Sequence, residues 1–192
     1  VLYRTNAQSL VFEKALRAKH IKAKTIGALS FFQRKEVKDI IAYLKTIDNA
    51  KDDIALTRII NVPKRGIGLT TIDRLKEYAV THEISLYGAL ERVESISSVE
   101  RAKPKLRSFL ALIESLRYEQ TQNNIPLKQL IKKLLSETGY IDELRADEPD
   151  TAEERIQNID ALISYAERYE QTEDMPSLTG FLEYCGLNGE EA

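Results

Sequence analysis

The 192-residue chain is 43% hydrophobic and 30% charged, with a formal net charge of −2, so it can bury a proper core and nothing marks it as disordered. It has no apolar run of about 18 residues, which excludes a membrane-spanning helix, and no charged-then-apolar leader at its start. Its one cysteine, Cys185, excludes an internal disulfide and fits a reducing cytoplasm, while His20 and His82 lie apart from any Cys/His/Asp grouping with metal spacing.

The small net charge hides an asymmetry. Residues 1–80 hold 16 Lys and Arg against 8 Asp and Glu, and residues 81–192 hold 12 against 22. A basic half beside an acidic half is what a protein needs to meet a polyanion at one end, although solvated faces can segregate charge by chance.

Val1-Leu2-Tyr3-Arg4 reads as the end of a buried strand, and a start inside a strand points to a piece of a longer protein. Thr5 or Asn6 is placed to cap a helix over about Ala7–Lys19, whose stripe is Leu10, Val11, Ala15 and Leu16. Residues Ile21–Ile26 alternate apolar and basic, as a half-buried strand does. Strand, helix and strand at this spacing form a βαβ-like piece.

Beyond Gly27 the spacing is helical throughout. Ser30 and Gln33 are candidates for a capping box ahead of Val37, Ile40, Ile41 and Leu44. Further helices are expected at Leu56–Ile60, Ile72–Ala79, Leu86–Val93, Leu106–Leu116, Leu127–Leu135 (from Pro126 to Gly139), Ile156–Ala166 with Asp150 as cap, and Leu178–Tyr184. Polar loops are expected near Ser95–Ser98, Gln120–Asn124 and Arg145–Asp150. The fold class is therefore mainly α, a short βαβ-like piece followed by one all-helical domain.

The chain is organised around Arg58–Leu75, RIINVPKRGIGLTTIDRL. Pro63 stops one helix because it lacks an N–H and clashes with the preceding turn. Gly66-Ile67-Gly68 makes a tight hairpin with one apolar residue inward, and a second helix starts at Thr70. Exposed backbone N–H groups, a bare helix N-terminus and the cations Lys64 and Arg65 together suit a phosphate. That is the pattern of a helix-hairpin-helix element gripping a nucleic-acid backbone. An ordinary helical corner, with glycines for positive φ and basic residues for solubility, fits the same residues.

Three blocks taken together, VLYRTNAQS (Val1–Ser9), SFFQRKEVKDIIAYL (Ser30–Leu44) and RIINVPKRGIG (Arg58–Gly68), resemble segments of UvrD/PcrA/Rep-type superfamily 1 DNA helicases, in the family's order and spacing. Such helicases have two RecA-like motor domains, 1A and 2A, with inserted domains 1B and 2B. The resemblance implies that residues 1–29 are a piece of 2A and residues 30–192 most of helical 2B. It places Arg4 and Asn6 where 2A touches single-stranded DNA, and Lys64, Arg65, Gly66, Ile67 and Gly68, with Thr70 and Thr71, where 2B holds the duplex ahead of the fork. The implied partners are a duplex–single-strand DNA junction, domains 1A, 1B and 2A, and proteins of repair or transcription, with no membrane.

The implied cofactors, ATP and Mg²⁺, belong to the parent helicase. This chain has no GxxxxGK[ST] loop and no Asp-Glu pair after an apolar strand, so no catalytic residue is assigned and the piece alone is not expected to hydrolyse ATP. Its tail, Cys185–Ala192, departs from the family's pattern. Arg34, Lys35 and Lys38 read as solvated surface or hinge contacts, and Phe31-Phe32 as a domain-junction core. The alternative function is a protein-interaction or autoregulatory module, served by the acids Glu143, Asp147, Glu148, Asp150, Glu153 and Glu154.

Overall fold

A computed structural model describes residues 31–189, with side chains as far as residue 186, together with Ala15, Leu16, Lys19 and Ile21. Ala15 and Leu16 are helical, as their stripe predicts; the expected strands at Val1–Arg4 and Ile21–Ile26, Arg4, Asn6 and the cap Ser30 lie outside the described residues except for Ile21, which has no regular structure. Among the described residues every regular element is a helix, in agreement with the mainly α class. None is long and apolar enough to cross a membrane.

The helices are α1 (Lys35–Asp48), α2 (Asp53–Ile59), α3 (Leu69–Thr81), α4 (Leu86–Glu91), α5 (Lys103–Thr121), α6 (Leu127–Thr138), α7 (Tyr140–Asp147), α8 (Pro149–Thr172) and α9 (Leu178–Gly189). Short 3₁₀ turns cover Phe31–Gln33, Val93–Ser95 and Ser97–Ala102. One apolar cluster runs through them all, from Phe31 to Cys185, with α1 at its centre: Val37, Ile40, Tyr43, Leu44 and Ile47 are each at most 1% exposed. The i, i+3, i+4, i+7 spacing of these residues is why α1 can bury a whole face.

Helix ends follow local chemistry. Asp52 caps α2 by accepting from the Ala55 amide, and Ser85 caps α4 by accepting from the Gly88 amide. Gly139, at φ 67°, ends α6 in the left-handed conformation that glycine adopts without a Cβ clash, and the chain turns at once into α7.

Four expectations need correction. Arg145–Asp150 is not a loop: α7 continues to Asp147, and only Glu148 separates it from α8. Asp150 does not cap α8 but lies in its first turn, since the helix begins at Pro149, whose fixed φ suits that position. Gln33 belongs to a 3₁₀ turn, and α1 starts after Arg34 with no side-chain cap. Arg34 itself is not solvated but 6% exposed, donating from Nη1 to Asn158 Oδ1 at 2.6 Å.

Asn158 in turn donates to the buried Glu36 carboxylate at 2.6 Å, so a charged pair bridged by an amide joins α1 to α8. A second buried network lies one turn further along α1. Asp39, 1% exposed, accepts from Arg58 Nε at 2.7 Å and from the Tyr140 hydroxyl at 2.8 Å. It ties α2 and the start of α7 to the same face of α1. Burial, then the Asp39 charge, pushes the Tyr140 phenol well above its usual range and keeps it a donor. Phe31 and Phe32 pack edge-on, with Phe32 against Tyr165, within the apolar cluster.

Candidate nucleic-acid interface

The connector from Ile60 to Gly68 carries the predicted site. Helix α2 ends at Ile59, earlier than Pro63 requires; Ile60 and Val62 continue as turns, and Val62 joins Pro63 through a cis peptide. Ile59, Ile60 and Ile67 are each at most 1% exposed and pin the connector at both ends. Asn61 shapes what lies between. Its Oδ1 accepts from the amides of Arg65 (2.8 Å) and Ile67 (3.1 Å), doing with one side chain what a backbone turn does with a carbonyl.

Arg65 points inward. Its Nη1 donates to the carbonyls of Ile59 (3.0 Å) and Pro63 (3.1 Å), and its Nη2 to the Tyr43 hydroxyl at 2.6 Å. The guanidinium lies 5.1 Å from the centroid of the Phe109 ring. Tyr43 passes the chain on, donating to the Val62 carbonyl at 2.5 Å. Burial pushes the Tyr43 phenol up to about 12, against the downward pull of Arg65. Arg65 thus serves as the internal strut of the turn.

Lys64 faces the opposite way. Its side chain is 70% exposed, with Nζ 2.5 Å from Asp147 Oδ2, while its backbone amide donates to Glu143 Oε2 at 2.6 Å. Tyr140, Glu143 and Asp147 recur every three or four residues, so the Tyr140–Asp39 bond that docks α7 also aims both acids at Lys64. The hydrogen bond to Asp147 raises the Lys64 ammonium above its ordinary value.

The two glycines differ in kind. Gly66 has φ 67° and needs to be glycine for conformational reasons, and a Cβ there would come 2.5 Å from Lys105 Nζ. Lys105, on α5, donates to the Gly66 carbonyl at 3.2 Å. Gly68 is extended (φ −77°, ψ 164°), and a Cβ would meet nothing within 4 Å. It is the N-cap of α3, its carbonyl accepting from the Thr71 and Ile72 amides. Among the described residues no acceptor faces the amides of Gly68, Leu69 and Thr70, and the Thr70 and Thr71 hydroxyls bond to nothing. Exposed donors at the positive end of a 13-residue helix form an anion-attracting corner.

The structure places Lys64, Gly66, Gly68, Thr70 and Thr71 at the exposed side of the corner, buries the Ile67 side chain with its amide on Asn61, and turns Arg65 inward. Asn61, Tyr43 and Lys105 are participants the sequence reading missed. Asn61 had a signal, an Asx residue beside a Pro-Lys-Arg-Gly turn; Lys105 had none, lying 39 residues away on another helix. Of the acids expected to form a solvated or partner-binding surface, Asp147 pairs with Lys64, Glu148 with Lys35 and Arg155, and Glu153 with Arg145.

The described residues thus form a helical domain that presents a cation-flanked, glycine-containing corner beside its core. The chain belongs to the UvrD-like helicase C-terminal domain family, whose profile matches residues 1–192. It is 37% identical over 182 residues to the ATP-dependent DNA helicase PcrA of Bacillus subtilis, covering 95% of this chain and 24% of that protein. PcrA of Staphylococcus epidermidis is 36% identical, and PcrA of Staphylococcus aureus 35%, each over 184 residues. The chain spans about a quarter of the length of these relatives.

Proposed function

We propose that this chain is the DNA-gripping accessory part of an ATP-dependent 3′→5′ DNA helicase, and that Lys64–Thr71 works as a helix-hairpin-helix holding the duplex backbone ahead of the fork. In this reading residues 1–29 are an edge of motor domain 2A, with Arg4 and Asn6 toward single-stranded DNA, and residues 30–192 are domain 2B. The parent acts in repair or replication. Its ATP and Mg²⁺ are assigned to the motor domains, since the sequence has no phosphate loop. No step of hydrolysis is derived from this chain.

The observation that carries the reading is Gly68. Neither its backbone angles nor its neighbours demand glycine, and Ser, Asn or Asp would cap α3 better. What a missing side chain does permit is close approach of a ligand to the adjacent amides. Contacts through amides and hydroxyls to phosphate oxygens position DNA without reading its sequence, as a moving fork requires.

The alternative, a protein-interaction or autoregulatory module, drew on the acidic stretch 143–154. Three of its acids, Asp147, Glu148 and Glu153, are paired with cations of this chain, which leaves less free charge for a partner and supports the nucleic-acid reading.

The test is fluorescence anisotropy of the 192-residue chain on a duplex–single-strand junction, with Gly68→Val beside the wild type. Valine fits the backbone and space at Gly68, so folding by circular dichroism is expected to be unchanged. Loss of salt-sensitive binding supports the grip; undiminished binding by Gly68→Val removes this corner from the interface.

A further inference from the structure

Two of the three cations at the connector are already satisfied by the protein. The Arg65 guanidinium is spent on carbonyls and Tyr43, and the Lys64 ammonium lies against the Asp147 carboxylate. The third, Lys105, is different. It projects from the first turn of α5, is exposed, and has as its partner a neutral carbonyl, that of Gly66. Among the described residues no carboxylate lies within ion-pair distance of it.

We infer that Lys105 is a phosphate-binding residue of this interface, supplying from α5 the positive charge that the sequence pattern assigns to Arg65. The inference rests on the proposed grip at Gly68. Its physical basis is distance. The Lys105 Nζ sits 3.2 Å from the Gly66 carbonyl oxygen, and two peptide units from Gly66 to Gly68 span at most about 7 Å. The ammonium is therefore about one Debye length or less from the open Gly68 amide at ordinary salt, close enough to act on a phosphate there. A four-carbon stem with one hydrogen bond to a carbonyl can swing toward that phosphate, whereas the forked, multiply bonded Arg65 cannot. The chemistry recognised is a phosphodiester, indifferent to base sequence.

The test measures binding of the 192-residue chain to a duplex–single-strand junction over a range of salt for wild type, Lys105→Gln, Lys105→Arg and Gly68→Val, with a thermal midpoint for each. One neutralised phosphate contributes about 0.9 to the slope of log K against log salt. Lys105→Gln is expected to lower that slope by about 0.9 and to weaken binding by about eight-fold near 0.1 M salt, the difference closing toward 1 M. Lys105→Arg is expected to keep both. An unchanged slope for Lys105→Gln while Gly68→Val still abolishes binding overturns the inference and leaves the grip standing. Weaker binding by Lys105→Gln with an unchanged slope and a lowered midpoint shows a purely structural lysine and overturns it too. Binding indifferent to Gly68→Val removes the grip, and the inference with it.

Discussion

Replacing Arg65 with alanine separates a charge that meets DNA from a charge that builds the turn. The substitution removes donors to the carbonyls of Ile59 and Pro63 and to the Tyr43 hydroxyl, and uncovers one face of Phe109. A hydrogen bond from a charged group contributes about 1.5–3 kcal/mol, and losses within one network are not additive. Arg65 is half-buried, so water can reach part of what it leaves, and a net cost of about 2–4 kcal/mol is expected. A chain of this size shifts its thermal midpoint by about 2–4 °C per kcal/mol, which puts Arg65→Ala about 4–16 °C below the wild type. Lysine cannot reproduce the fork, so Arg65→Lys should recover little of the loss. The measurement is a melting curve followed by circular dichroism, paired with junction binding well below both midpoints. A wild-type midpoint combined with a clear loss of DNA affinity would refute the reasoning and return Arg65 to the interface.

Asp147→Asn releases the Lys64 ammonium from its carboxylate; binding to a junction should tighten and its salt dependence steepen, and weaker or unchanged binding by anisotropy would argue against the exposed Lys64 as a contact. Tyr140→Phe withdraws a donor from the buried Asp39 carboxylate and should cost about 1.5–3 kcal/mol in a urea titration, with no effect on DNA binding if α7 stays docked. The buried Tyr43 phenol, pushed up to about 12, favours the neutral form in the folded chain, whereas the unfolded chain ionises near 10. Its stabilising contribution is therefore complete below pH 10 and is lost as pH rises from 10 toward 12; denaturation midpoints across that window should fall, and fall less in Tyr43→Phe.

Long periodic helices were legible because packing and propensity agree there: the stripes of α1, α5, α6 and α8 lie in the core where their spacing puts them. Helix α7 was not. Its eight residues offer little more than Tyr140 and Leu144 to the core, and Arg145 to Asp147 look like a polar loop until Gly139 turns the chain back. Ile67 and the Gly66 conformation could be read from the local pattern, since a tight turn needs an anchor and a positive φ. The orientation of Arg65 could not, because it depends on Tyr43 and Phe109, 22 and 44 positions away. Arg34 escaped for the same reason. A cation in a run of charges reads as solvated unless its distant partner, here Asn158, is known.

Cys185 is buried at 3% exposure and is the single cysteine of the whole sequence. To a thiol-reactive dye the folded surface is therefore close to blank. One cysteine placed at exposed Asp73, about one turn into α3 from Gly68, would carry essentially all the label without first stripping the protein of native thiols. A dye beside the corner proposed to hold DNA would then report its occupancy, and a second label at exposed Asp142, which leaves the Asp147–Lys64 pair in place, would show whether α7 stays against Lys64 or moves away when a duplex arrives.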